Sequence, residues 1–252
     1  MTKRACPPPP PPKAFDWNSI ALFTPLDART LCALADAAQP HDYAAGCTVF
    51  SEGETCAGFH IVASGLVRLY RVNAEGRLHT LSLLRAPSTF NEVAAVDGAA
   101  NPFNAVAVTA ARVYIIPHRR WMLLLQHEPA LLAVVVQGLA HLNREYLERL
   151  EDMTFRTIPS RLAKLFLHET TYADQIAELP SQLSQEEMAS ILGTTREVVG
   201  RALRGLMNAG LLAKRGRSFY LTDRAGLEHL AETNTLPAHA RRPECPLVED
   251  DV

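Results

Sequence analysis

The chain has 252 residues, 48% of them hydrophobic and 21% charged, with a formal net charge of −2. That balance describes a folded globular chain, not a disordered or membrane-embedded one. No apolar run is long enough to span a bilayer and the N-terminus has no signal-peptide core, so the expected compartment is the cytoplasm, with no membrane partner.

Residues 1–16 form an expected flexible arm around the uninterrupted run Pro7 to Pro12, which can join neither a helix nor a sheet core. Short helices follow between Asn18 and Ala38. From His41 to about Pro117, short apolar runs alternate with turn residues. The strands expected are 47–50, 58–63, 65–71, 78–84, 104–108 and 111–116, with a hairpin turn at Asn73–Gly76. Strands this short and this regularly spaced predict a double-stranded β-helix, or jelly roll, as a sensor or effector domain over 17–127.

Pro129 opens a long helical pattern reaching roughly Phe155. Val135, Leu139, Leu142, Tyr146, Leu150 and Met153 recur at spacings of three and four, a single seam that asks for a second chain. Leu132, Val136 and Leu147 are then left to face the chain's own strands. We assign 128–157 to dimerisation, with a hinge at Ile158–Pro159–Ser160.

Residues 158–232 read as a winged helix-turn-helix. A helix over 161–170 and a connector from Thr171 to Pro180 lead to two short helices around Gly193. Ser184 and Glu187 have the spacing of a capping box, and Thr194 or Thr195 caps the second helix. Val198, Val199, Ala202, Leu203 and Leu206 face inward there, leaving Arg196, Glu197 and Arg201 outward. A wing follows, with a basic tip at Lys214, Arg215 and Arg217. From Leu183 to Tyr220 six bases stand against three acids, a basic patch within an acidic chain. Residues 233–252 read as a flexible acidic tail.

Gly65-Leu66-Val67-Arg68-Leu69-Tyr70, Phe90-Asn91-Glu92-Val93 and Thr195-Arg196-Glu197-Val198-Val199-Gly200-Arg201, in this order of parts, resemble the cyclic-AMP receptor protein and fumarate–nitrate regulator superfamily of bacterial transcription factors. The resemblance covers about residues 20–222. It implies an α+β chain with an N-terminal jelly-roll effector domain, a long dimerisation helix and a C-terminal winged helix-turn-helix. It further implies a homodimer on palindromic double-stranded DNA, with RNA polymerase as a candidate partner. By this resemblance Arg196 and Arg201 take guanines and Glu197 accepts from cytosine N4, giving inverted half-sites like TGTGA. That matches what the side chains can do, since Arg forks onto O6 and N7 and Glu carries only acceptors. Ser184, Thr194, Thr195, Arg204, Lys214, Arg215 and Arg217 are expected to position phosphates.

The effector pocket implied by the same resemblance comprises Asn91, Glu92, Phe103, Asn104, Tyr146 and Leu147. Cyclic-nucleotide relatives carry Gly-Glu and then Arg-Ser. Here Asn91-Glu92 and Pro102-Phe103 stand in those places, so a cyclic phosphate would meet no countercharge, which argues against cyclic AMP. The cysteines are odd in number and form no CxxC pair: Cys6 stands alone ahead of the strands, and Cys32, Cys47 and Cys56 are wrongly spaced for an iron–sulfur cluster. Buried free thiols are the simpler reading. Haem is a candidate through resemblance of 90–107 to the nitric-oxide-responsive branch, with His60, His79, His118, His127 and His141 as ligands that spacing does not separate. No metal ligands are assigned.

Catalytic residues are not expected either: neither a phosphate loop, nor HExxH, nor a spaced Ser–His–Asp set is present. The expectation is a sequence-specific DNA-binding regulator, controlled by a signal other than a cyclic nucleotide or active constitutively. A haem-based gas or redox sensor of the same superfamily is one alternative. The other is a signalling or scaffold module that no longer binds DNA.

Overall fold

A computed structural model describes residues 15–171, 183–216 and 218–237. The chain divides into two compact units, 1–147 and 148–252. Most of the proline arm, most of the connector before the paired helices, Arg217 and most of the acidic tail lie outside the described residues.

In the first unit, single 3-10 turns at Trp17–Ser19 and Ala21–Phe23 lead into helix α1 (Ala28–Ala37). Asp27 caps it, its carboxylate accepting the Thr30 N–H at 2.8 Å. Strands β1 (Gln39–Tyr43), β2 (Thr48–Phe50), β3 (Gly58–Ser64), β4 (Leu66–Val72), β5 (Leu78–Arg85) and β6 (Ser88–Phe90) follow. After them come helix α2 (Glu92–Asp97), strands β7 (Asn104–Ala107) and β8 (Ala111–Pro117), and helices α3 (His118–His127) and α4 (Pro129–Phe155). The expected β4–β5 hairpin is present: the Asn73 side chain accepts the Glu75 and Arg77 N–H groups at 3.0 and 2.9 Å. Gly76 supplies the left-handed residue that this turn needs, at φ +78°.

The strands do not close into the expected jelly-roll barrel. They form two separate four-stranded antiparallel sheets, in the orders β1-β8-β3-β6 and β2-β7-β4-β5. Among the described residues no ladder joins an edge strand of one sheet to an edge strand of the other. Period-two alternation reports that a strand has two faces, but not whether its edge meets another strand. The chain changes sheets between β5 and β6 at Ala86–Pro87, where Pro87 has no N–H to continue a ladder.

β3 explains how one sheet serves two cores, since five consecutive residues of it are buried. Val62 faces between the sheets with Phe50, Val67, Leu69, Phe90, Phe103 and Val113. Phe59 and Ile61 face the helices, joining Ile20, Leu34, Ile116, Trp121 and Leu131. The Phe59 and Trp121 rings stack at 4.1 Å between centroids and 9° between planes. Such a pair adds about 1 kcal/mol beyond the area it buries. β3 can run so close to β8 because Gly58 has no Cβ: one placed there would lie 1.9 Å from the Ile116 oxygen.

β1, β6, α2 and α3 were not expected from the sequence, and α4 turns a different stripe to the core. β1 carries no buried side chain and no apolar alternation, and exists through its ladder with β8. Along α4, Val135 is only 2% exposed and packs into the chain's own core with Leu131 and Val134, and Leu139 is partly buried against the same core. Leu132 and Val136, expected to face the strands, are exposed, as are Tyr146, Leu147, Leu150 and Met153. Leu142 is partly buried. A three-four repeat defines a stripe on a helix, and the neighbouring core decides which stripe is covered. Here the first turns use residues 131, 134 and 135 for the core, so the uncovered stripe there begins one position later, at Leu132.

The second unit begins within α4, at Glu148, and holds helices α5 (Ile158–Thr171), α6 (Gln185–Leu192) and α7 (Arg196–Asn208), strands β9 (Leu212–Arg215) and β10 (Ser218–Leu221), and helix α8 (Arg224–Thr233). The expected hinge residues Ile158–Pro159–Ser160 are the first turn of α5, and the break after α4 is Arg156–Thr157. A proline in a first turn lacks only an N–H that would be unpaired in any case. The core of this unit joins Leu162 and Phe166 of α5, Met188 and Leu192 of α6, Val199, Leu203 and Leu206 of α7, Phe219 of β10 and Leu227 and Leu230 of α8.

Candidate nucleic-acid interface

The paired helices begin at a reciprocal cap. The Ser184 hydroxyl accepts the Glu187 N–H at 3.2 Å, and the Glu187 carboxylate accepts the Ser184 N–H at 2.7 Å. The Ser184 hydroxyl also donates to that carboxylate at 2.9 Å, so the cap occupies it. α6 ends on Gly193, at φ +62°, whose N–H reaches the Ala189 carbonyl. From α5, the Arg161 guanidinium donates to the terminal Leu192 carbonyl at 2.6 Å and ties α6 down at that end. Three residues, Gly193 to Thr195, then turn the chain into α7.

Thr195 holds the N-cap position of α7 in extended conformation, and its side chain makes no cap hydrogen bond to the helix backbone. Its hydroxyl bonds the Glu197 carboxylate instead. α7 has a steep division of faces. Val199, Gly200, Ala202, Leu203 and Leu206 are buried against α5 and α6, while Arg196, Glu197, Arg201 and Arg204 are exposed. Those four side chains line one open depression of about 430 Å³ together with Gln185 and Gly200. The single carboxylate there, Glu197, sits below its usual range. Its own backbone N–H is the largest cause, followed by the Thr195 hydroxyl and then by Arg196 and Arg201. The exposed side of α7 thus groups three guanidinium donors with one carboxylate acceptor, Arg196 and Glu197 in its first turn and Arg201 and Arg204 further along.

Gln185 was not singled out by sequence, although it opens α6 directly after the capping serine. It lines the depression beside Gly200 of α7, where a Cβ would stand in ordinary contact, 3.4 Å, with the Gln185 Oε1. Thr194 is partly buried, its N–H bonded to the Ala189 carbonyl at 3.0 Å.

In the wing, β9 and β10 pair Arg215 with Ser218 and Lys214 with Phe219. Lys214 lies 5.8 Å over the Phe219 ring and Arg215 lies 5.5 Å over the Tyr220 ring. Each cation is exposed, yet rests on an aromatic face that limits its wandering.

The residues expected as an effector pocket lie at the start of α2, in and just before β7, and on α4. Asn91 is a left-handed residue at φ +66°, 2% exposed, and donates to the Asn101 side chain at 2.9 Å and to the Cys56 sulfur at 3.4 Å. Its Oδ1 is buried without a partner. Glu92 is partly buried, and burial pushes its carboxyl above the usual range against the opposing Thr89 hydroxyl. Phe103 packs its ring 5.8 Å from Phe50, between the sheets. Asn104 bonds the Glu52 N–H at 3.0 Å and the Tyr70 carbonyl, on β4, at 3.4 Å. Tyr146 and Leu147 are exposed on α4.

Of the histidines considered for haem, His60 is 1% exposed. Its Nδ1 lies 2.8 Å from the Gly58 carbonyl, and its ring lies about 5 Å from those of Phe50 and Phe90. Cys32, Cys47 and Cys56 are free thiols, and only Cys56 is buried. Among the described residues no three His, Cys, Asp or Glu side chains gather as metal ligands would.

The first unit matches the cyclic nucleotide-binding domain family over residues 40–128, and the second matches the Crp-like helix-turn-helix domain family over residues 160–230. The transcriptional regulator SdrP of Thermus thermophilus is 30% identical over 175 residues, covering 68% of this chain and 83% of that protein. The chain belongs to the CRP/FNR superfamily of bacterial transcription factors. A CRP-like cAMP-activated global transcriptional regulator of Mycobacterium tuberculosis is 27% identical over 206 residues, 80% of this chain and 92% of that one. A solved CRP/FNR-family regulator from Thermus thermophilus superposes with a TM-score of 0.65 at 25% identity, over 78% of this chain and all of that one. This CRP/FNR member is thus a helix-turn-helix, DNA-binding homodimer of a regulatory, non-enzymatic family. Among its described residues no single helix is long and apolar enough to cross a membrane.

Proposed function

We propose that the homodimer reads an inverted repeat with TGTGA-like half-sites through the exposed start of α7. Arg196 and Arg201 each fork onto a guanine O6 and N7, and Glu197 accepts from a cytosine N4. Thr195, Arg204, Lys214, Arg215 and Arg217 hold phosphates on either side, setting register without reading sequence. The observation that carries this reading is the grouping of Arg196, Glu197 and Arg201 around one open depression, on a helix whose opposite face is fully packed.

Control is exerted by a signal other than a cyclic nucleotide, or the dimer binds constitutively. A cyclic phosphate needs a cation or free donors. Pro102 offers no N–H, Phe103 is 9% exposed on Phe50, and the Asn91 amide is spent on Asn101 and Cys56. The residues present do not fit that ligand.

The test is fluorescence anisotropy of the full chain on a labelled TGTGA palindrome and on a scrambled duplex, across a salt series, with and without cyclic AMP. Palindrome-specific, salt-dependent and nucleotide-independent binding is expected. Equal affinity for the two duplexes would refute the half-site assignment. An absorption spectrum with iron analysis on the same sample checks for haem.

A further inference from the structure

The two-residue break between α4 and α5 is bonded on both sides by one side chain from the far end of the second unit. Asn234, at φ +60° after the last turn of α8, donates its amide N–H to the Phe155 carbonyl at 3.1 Å. Its Oδ1 accepts the Thr157 N–H, also at 3.1 Å. Phe155 is the last residue of α4 and Thr157 immediately precedes α5, so Asn234 pairs an acceptor that α4 leaves open and a donor that α5 leaves open. Arg156, between them, points its guanidinium at the closing turn of α8, onto the Ala231 carbonyl and, at 3.3 Å, onto the Glu232 carbonyl. A cation at a helix C-terminus also meets the favourable end of the backbone dipoles. Ser160 of α5 donates to the same Ala231 carbonyl at 3.2 Å. Asp152 of α4 completes the set, bonded to the Arg156 Nε at 2.6 Å and to the Lys164 Nζ at 2.5 and 2.7 Å.

We propose that Asn234 and Arg156 are positioning residues for DNA recognition, locking the last turn of α4 to the reading head so that the two α7 helices of the dimer present themselves at a fixed spacing. The Asn234 amide is small, planar and two-sided, and it is held in the left-handed conformation that asparagine accepts more readily than other side-chain-bearing residues. Bonds spanning both ends of the break remove the freedom of φ and ψ that Arg156 and Thr157 would otherwise have. A dimer gains affinity from its second half-site only when the two heads reach both together. Rigidity at this joint therefore acts on palindromes and not on single half-sites. This inference rests on the reading of α7 as the recognition helix.

The test uses the full-length dimer and the operator that the wild-type protein selects from a random duplex pool, so it stands apart from the TGTGA assignment. Wild type that selects no inverted repeat would remove the reading beneath the inference. Affinities are then compared on the palindrome, on the same duplex with one half-site scrambled, and on palindromes with the spacer one base pair longer or shorter. For Asn234→Gly, which keeps the left-handed backbone and loses the amide, half-site affinity is expected within about twofold of wild type. Palindrome affinity is expected to fall about tenfold and the spacer preference to flatten, as loss of simultaneous engagement requires. Equal losses on both duplexes, or none on either, overturn the positioning role. Asn234→Asp keeps an acceptor for Thr157, loses the donor and sets a carboxylate oxygen against the Phe155 carbonyl. If the glycine variant does not fold, the same comparison on this variant decides, with a palindrome-specific loss again expected.

Discussion

Asp42 and Arg112 face each other across the β1–β8 ladder and bond in parallel, Nε to Oδ1 at 2.6 Å and Nη2 to Oδ2 at 2.7 Å. This pair holds a strand that has no apolar side of its own. The guanidinium is the largest cause keeping the Asp42 carboxyl below its ordinary range. A depressed acid stabilises the fold above its unfolded pKa, about 3.9, and that contribution is lost as pH falls through the lower folded value. Asp42→Asn should lower the melting temperature at pH 7 and remove part of the dependence below pH 4. Thermal unfolding of both proteins from pH 7 to pH 3 measures it.

His60 acts in a neighbouring window. Burial is the main cause lowering it to about 4, so it is neutral in the native state and protonates in the unfolded chain below about 6.5. Stability is therefore full above pH 6.5 and declines as pH falls from there towards 4. The slope implies a loss of about 2 kcal/mol between pH 7 and pH 5. Urea unfolding should show this for wild type and a flatter profile for His60→Phe, whose ring can join Phe50 and Phe90.

The cap at Ser184 supports the first helix of the reading head and lies in no core. Ser184→Ala should cost about 1 kcal/mol, as the loss of a capping hydroxyl usually does. Calorimetry on the full chain should place that loss in the transition of the second unit. Gly193→Ala, forced to φ +62°, should cost at least as much and also weaken operator binding by moving α7.

Removing base contacts and removing phosphate contacts should differ in kind. Arg196→Ala or Arg201→Ala should lose about 1–3 kcal/mol of discrimination at one base position, read against single-base variants of the operator. Lys214→Ala should weaken all duplexes about equally and flatten the dependence on salt.

The uncovered stripe of α4 gives a further prediction. Leu132 and Leu150, 46% and 61% exposed in the single chain, should be covered in the dimer. Leu150→Glu should shift sedimentation velocity towards monomer and cut palindrome affinity, whereas Leu142→Ala should do less. Equal sedimentation of wild type and Leu150→Glu would remove Leu150 from the interface.

Elements whose causes are local in the chain are legible in the sequence. The Ser184–Glu187 cap, the Gly193 turn, the outward Arg196, Glu197 and Arg201, and the full length of α4 follow from spacings of three and four residues. The Asn73 hairpin follows from its own four residues. Gln185 was missed because its part in the depression depends on how α6 packs beside α7, which no local spacing reports. β1 was missed because its residues carry no apolar pattern, and its strand character comes from its ladder with β8, where Asp42 meets Arg112 from 70 residues away.

By itself, then, the sequence determined most of the strands, the long helix α4, the paired short helices around Gly193 and the superfamily of regulators to which the chain belongs. These depend on backbone periodicity, caps and the donors and acceptors that each side chain carries. Only the tertiary structure decided that the sheets stay open, that Val135 and Leu139 serve the chain's own core, and that Asn234 secures a helix break 77 residues before it. Those outcomes are set by which surfaces meet across long loops, and period two or period three-and-a-half says only that a face exists, not what covers it.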